Sequence, residues 1–290
     1  MMKRLFSRWR GRALGQTAAQ ADFAIDLALF TDVGPVREHN EDCIAALNAP
    51  RRGERSDRTA LVALADGMGG HQAGELASRL AVETALRVYG EAPRSSPADR
   101  LLLALVAANT AVYLRSLSAP ELQGMGTTLL LFAPGDDGAY CAWVGDSRLY
   151  RWRAGAMAQI TRDDTVVREL VERGLVDART AADHPDHSVL TQALGTQATL
   201  SDLHVFGPID IAVGDRFLLC SDGIHDVVSS EQLAQALAST CARSAVDGIH
   251  HLALENHAND NLSIGVARVE APRPMPSAAR RTAVDVEVLT

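Results

Sequence analysis

Cysteine is scarce in this chain and shows no pattern. The four cysteines, Cys43, Cys141, Cys220 and Cys241, form no C-x-x-C pair and no spacing that suits a metal. They read as reduced thiols of a cytoplasmic protein, not as a disulfide framework. No run approaches 18 uninterrupted apolar residues, so no transmembrane helix is expected. The opening MMKRLFSRWRGRALG is basic but lacks the apolar core of a secretory signal. Residues 1–21 are therefore expected to form a flexible basic arm, in which Leu5, Phe6 and Trp9 would favour only a weak contact with an anionic surface. Basic, aromatic-lined stripes are missing too, and the net charge is -8, which argues against nucleic acid as a partner. Internal repeats and low-complexity tracts are also lacking.

What remains is a globular composition, 47% apolar and 22% charged. One domain over 22–270 is the simplest count, followed by a tail over 271–290 whose three prolines suggest a loose segment. Residues 48–58 and 133–138 read as short loops. Strands are expected at 23–30, at 59–65, in a cluster between 127 and 152, at 216–221 and at 261–269. Ser96, Pro97 and Asp99 form a helix start signal. Val82, Leu86 and Tyr89 share one helical face, with Glu83 and Arg87 spaced to pair on another. Val166, Val167, Leu170 and Val171 form a stripe that ends at Gly174, and Ser229 with Gln232 resembles a capping box. Strands and helices come in runs without regular alternation, which suggests an α+β layered fold with mainly antiparallel sheets.

Acids recur where strands end or begin. Asp66 follows an apolar run in ALADGMGGHQAGE, Asp146 follows CAWVG, and Asp222 follows RFLLCS. Asp260 precedes the last strand, and Glu41-Asp42 lies between two strands. Carboxylates converging from side-by-side strands would raise one another's pKa values, and a divalent cation removes that penalty. Oxygen-only ligands favour Mg²⁺ or Mn²⁺ over Zn²⁺. Any single acid of this kind is more often a turn residue or cap, but five such places in one chain point to a metal site. Gly67, beside Asp66, would let an ion approach a backbone carbonyl. The glycines are neither a dinucleotide fingerprint, since Gln72 takes the third glycine position, nor a Walker loop, since no lysine follows Gly74. Arg37, four residues before Glu41, suits a phosphate clamp as well as it suits a surface turn.

The ordered strings TDVGPVREHNED, ADGMGGHQAGELAS, MGTT, VGDSRLY, ITRDD, TQALG, SDGIHDVV and NDNLSI resemble those of the metal-dependent Ser/Thr protein phosphatases of type 2C, specifically the bacterial branch. The resemblance spans residues 31–264. It implies an α+β fold, a four-layer α-β-β-α sandwich of two antiparallel sheets with a metal cleft at one edge. It implies that Asp66 bridges two Mn²⁺ or Mg²⁺ ions, that Gly67 adds its carbonyl, and that Asp222 and Asp260 hold the second ion. Glu41 and Asp42 would act near the pair, Asp146 would hold a third, weaker ion, and Arg37 would grip the substrate phosphate. The implied reaction is hydrolysis of phosphoserine and phosphothreonine by direct attack of a metal-bridging water, with no protein nucleophile. The implied partners are phosphoproteins and a cognate bacterial Ser/Thr kinase, and the size suits a monomer. Two other functions fit the same residues: a catalytically silent phosphoprotein-binding member, or a two-metal hydrolase of another phosphate ester. Two positions depart from the family. Met68 stands where many eukaryotic members have a general-acid histidine, with His71 nearby but not assigned that role. Asp164 stands where histidine is common, at the start of a flap expected over 164–194; His184 within it and the small Cys43 read as structural.

Overall fold

A computed structural model describes residues 23–48, 60–69, 72–92, 95–135, 137–272 and 286–289. The first half runs β1 (Ala24–Asp32), β2 (Asp42–Leu47), β3 (Leu61–Met68), α1 (Gln72–Glu91), α2 (Pro97–Ser116), β4 (Gly126–Thr127), β5 (Leu129–Gly135) and β6 (Gly138–Val144). Next come β7 (Arg148–Arg153), β8 (Ala156–Gln159), α3 (Val166–Glu172), β9 (His204–Ile209) and β10 (Arg216–Cys220). The chain continues through α4 (Asp222–His225), α5 (Ser230–Leu237), α6 (Ala242–Glu255), β11 (Leu262–Glu270) and β12 (Val286–Leu289).

The strands form two wholly antiparallel sheets. One has the order β1-β11-β10-β7-β8; the other runs β12-β2-β3-β5-β6-β9, with β4 pairing on β3. Period-two alternation divides their side chains between three cores. Leu61, Ala63 and Ala65 of β3 pack under α1 and α2. Val62 and Leu64 face the other sheet, together with Ile44, Phe132, Phe217 and Leu219. Leu218, Ile264 and Val266 pack under α5 and α6. The result is the expected α-β-β-α sandwich. Phe132 and Phe217 meet across its centre, ring centroids 4.8 Å apart, a pair worth about 1 kcal/mol beyond its buried area.

Helix punctuation follows the sequence closely. The Ser96 hydroxyl caps α2 by accepting from the Asp99 N–H, and Ser229 with Gln232 closes a capping box on α5. Helix α3 ends in paired reverse hydrogen bonds, Gly174 N–H to Val171 O and Leu175 N–H to Leu170 O, with Gly174 at φ 71°.

Several expectations need correction. Arg87 pairs with Glu91 at 3.4 Å, one turn on, not with Glu83. The hairpin loop expected at 133–138 is shorter than that, since Leu129–Gly135 and Gly138–Val144 are already paired strand. The tail is not loose throughout: Val286–Leu289 pairs antiparallel with β2 and covers an otherwise open edge. The arm over 1–21, the tail residues 273–285 and His71 lie outside the described residues, as does all of the 48–58 loop except Asn48.

Candidate metal centre

The alternation that builds the inter-sheet core also places the acids. In β2, Ile44 and Ala46 face the opposite sheet, so Asp42 does too; in β3, Val62 and Leu64 do, so Asp66 is next in line. The two acids are direct cross-strand partners. From the other sheet, Phe217 and Leu219 of β10 point inward, and Ser221 and Asp222 follow them. The inter-sheet layer thus ends on one edge in a polar group. The Ser221 hydroxyl donates to Asp42 Oδ2 at 2.8 Å, and the Ser221 Oγ accepts the Ser263 N–H at 3.1 Å. Strand β3 continues two residues past Asp66, held by β4: the Thr127 hydroxyl donates to the Asp66 carbonyl at 2.8 Å, and Thr128 Oγ1 accepts the Asp66 N–H at 2.9 Å.

Asp42, Asp66, Asp146, Asp222 and Asp260 gather here. Burial pushes the Asp42 carboxyl up to about 7, with the charges of Asp222 and Asp260 adding to the rise against hydrogen bonds from Ser263 and Ser221. Burial likewise raises Asp146 to about 7, reinforced by Asp222. Asp66 is pushed well above the carboxylate range by burial and then by Asp42, Asp222 and Asp146. Asp222 is raised by burial, and the charges of Asp260 and Asp226 add to the rise against His225. Asp42 Oδ1 and Asp222 Oδ1 are buried with no hydrogen-bond partner. Orphaned buried oxygens in a mutually repelling group fit divalent cations, which supply both the missing partner and the opposing charge. Among the described residues, no three His, Cys, Asp or Glu side chains stand in the arrangement of a ready-made ion site. Asp66, Asp146 and Asp222 line an open cleft instead, an arrangement suited to ions that keep several waters.

The loop between β1 and β2 carries Arg37 and Glu41 past this edge. Asn261 fixes its course: the buried amide donates to Val33 O and His39 O and accepts the Glu41 N–H, all within 2.9 Å. Arg37 Nη2 donates to Asp260 Oδ2 at 2.7 Å, with the arginine side chain 54% exposed. The Glu41 carboxylate occupies the place where a Gly74 side chain would stand. A Cβ on Gly67 would overlap the Gly74 carbonyl and the Glu41 carbonyl, so close backbone packing at the start of α1 requires this glycine.

A cavity of about 390 Å³ opens onto Asp66, Asp146 and Asp222, walled by Met68, Thr128 and the segment 188–193. A second, of about 590 Å³, adjoins it at Asp146 and Ser188 beneath α3. His225 lines the second cavity, its Nε2 3.1 Å from the Asp146 carbonyl. Sequence reasoning missed Asn261, Ser221, Ser263 and His225. The first three adjoin quoted acids in SDG and NDNLSI, but their partners come from distant strands. His184 accepts from the Asp186 N–H on the surface, and buried Cys43 packs in the helix-side core with its thiol pushed up to about 12 by burial, then by Glu83 and Asp42, against a lowering from Arg79. Among the described residues, no helix is long and apolar enough to cross a membrane.

Comparisons with known proteins agree with this geometry. The profile of protein phosphatase 2C matches residues 51–259. The chain is 37% identical over 253 residues to the serine/threonine protein phosphatase PstP of Mycobacterium tuberculosis, covering 87% of this chain and 46% of that protein. It therefore spans about half the length of that relative. It is 33% identical over 214 residues to the serine/threonine phosphatase stp of Listeria innocua, covering 72% of this chain and 81% of the relative. The solved catalytic domain of PstP, in complex with two manganese ions, superposes with a TM-score of 0.73 at 33% identity, covering 86% of this chain and 99% of that one. The chain belongs to the protein phosphatase 2C family, on its bacterial branch.

Proposed function

We propose that this chain is a metal-dependent protein serine/threonine phosphatase, acting in the cytoplasm on phosphoproteins made by a cognate Ser/Thr kinase. The observation that carries the reading is the cluster of raised carboxyls with two orphaned oxygens, set at the edge of a phosphatase-family sandwich beside an exposed arginine. Asp66, the Gly67 carbonyl, Asp222 and Asp260 would hold two Mn²⁺ or Mg²⁺ ions, with Glu41 and Asp42 close by and Asp146 holding a third. The PstP catalytic domain carries two manganese ions, which supports the two-ion core. Bound ions supply the Lewis acidity that brings a water's pKa down to about 7 and offsets charge on the phosphoryl group.

The chain's own groups do the rest. Arg37 donates to Asp260 Oδ2, and with that carboxylate engaged on a cation the guanidinium would be free to hold two phosphate oxygens. Asp42 keeps one oxygen on Ser221 and leaves Oδ1 to take a hydrogen bond from water or to face an ion. Among the described residues lining the cleft, no serine, threonine or cysteine is hydrogen-bonded to a histidine, which fits direct attack by water. A panel of phosphoserine and phosphothreonine peptides, p-nitrophenyl phosphate and dinucleotides, each with Mn²⁺, tests the assignment. Turnover of the phosphopeptides supports it; turnover confined to dinucleotides makes the chain a different phosphate-ester hydrolase, and metal binding without turnover makes it a binding protein.

A further inference from the structure

Asp164 opens the segment that leaves the sheet and returns along the cleft. It is buried, and all four of its polar groups are engaged. Its N–H donates to Gly145 O at 3.0 Å, and its Oδ2 accepts the Gly145 N–H at 3.0 Å. Its carbonyl accepts the Thr191 N–H at 2.8 Å, and its Oδ1 meets His204 Nε2 at 2.9 Å. Gly145 immediately precedes Asp146 and has φ 99°, a conformation that suits glycine, with Thr128 packed against it. That same Thr128 supports Asp66. Thr191 belongs to the stretch that walls the cleft. One residue thus joins the turn carrying Asp146, held by the Asp164 carboxylate, to the wall of the cleft, held by its backbone carbonyl.

His204 gives the carboxylate its partner from a distant strand, β9. Its ring stacks on Trp143, centroids 4.8 Å apart and planes at 14°. Trp143 is fixed in turn by its Nε1–H, which donates to Arg162 O at 2.7 Å. A buried carboxylate oxygen without a partner is costly, so the imidazole holds Asp164 in place as much as Asp164 holds the turn. Here the loop supplies the acid and β9 supplies the imidazole.

We infer that Asp164 and His204 are a positioning pair that fixes the Gly145–Asp146 turn against the cleft wall at 188–193. Neither residue touches substrate. The inference rests on the metal-dependent reading above. It is tested by Mn²⁺ binding, followed by calorimetry and by the electron paramagnetic resonance of free Mn²⁺, on Asp164→Ala, His204→Ala and the milder His204→Gln, whose amide can still donate to Oδ1. The two alanine variants should weaken the weakest Mn²⁺ site by about tenfold, the usual scale for groups that orient a metal ligand, while leaving tighter sites unchanged. Both should raise KM for a phosphopeptide more than they lower kcat at saturating Mn²⁺, and His204→Gln should recover most of each loss. Variants with wild-type Mn²⁺ affinities and KM, differing only in melting temperature, would overturn the inference alone. Wild-type protein that bound no Mn²⁺ would overturn it together with the metal-dependent reading.

Discussion

Stripping divalent metal should make this protein less stable as pH rises, in contrast to the usual behaviour of carboxylates paired with cations. Asp42 and Asp146 each move from 3.8 to about 7, Asp42 through burial and then the charges of Asp222 and Asp260, Asp146 through burial and then Asp222. Their folded-state pKa values lie above the unfolded ones, so between about pH 4 and pH 7 the folded protein holds more protons than the unfolded chain. Stability is then lost as pH climbs through that window. A difference of about 3 in pKa is worth about 4 kcal/mol for a single group. The two groups act on the same neighbours, so their penalties do not sum. For a domain of this size, about 4 kcal/mol corresponds to a melting shift on the order of 10 °C. Asp226 runs the other way. Burial raises its carboxyl, but the hydrogen bond and charge of His225, with Arg148 and His187, pull it below the ordinary value, so its contribution is lost only at pH below that range. Scanning calorimetry in chelator from pH 5 to pH 8 should show a falling melting temperature, and added Mn²⁺ should restore it with release of protons. A melting temperature that stays flat or rises across that range in chelator would refute the reasoning.

Other outcomes follow from the same contacts. Asp222→Asn should raise the melting temperature in chelator at pH 8 while weakening Mn²⁺ binding, because it removes one of the repelling charges; calorimetry with and without metal reads both. Gly67→Ala should destabilise by about 1–3 kcal/mol, since its methyl overlaps two backbone carbonyls that cannot swing aside, and urea unfolding measures this. Arg37→Ala should raise KM for a phosphopeptide while changing stability by less than about 1 kcal/mol, because its ion pair with Asp260 is largely exposed. Deleting residues 273–290 removes β12 and uncovers the β2 edge, so light scattering should detect association that the intact chain does not show.

The acids were legible because period two is a local property. Once Ile44 and Leu64 are taken as facing the other sheet, Asp42 and Asp66 must do so as well. Helix ends at Ser96, Gly174 and Ser229 were legible for the same reason, since caps are made within a few residues. Long-range partners were not. Nothing local says that Asn261 will hold the 33–41 loop, or that His204, 40 residues on, will reach Asp164. Five strands escaped notice, among them β2, which begins at Asp42 where the sequence reading placed a segment between strands. β4 and β8 are too short for a pattern, and β9 contains Gly207-Pro208, which reads as a turn. β12 alternates as V-E-V-L, but the three prolines before it disguised the signal. Gly67 has a second role that was not legible, because the packing it permits involves Gly74 and Glu41, which become neighbours only when α1 folds against β3.

The central claim is that the clustered carboxylates hold divalent ions required for phosphate hydrolysis. A Mn²⁺ titration of p-nitrophenyl phosphate hydrolysis, with Asp66→Asn as the control, tests it most directly. The account predicts turnover that rises with Mn²⁺, stops in chelator and is lost in Asp66→Asn. Full turnover in chelator, or an Asp66→Asn protein as active as wild type, would contradict it.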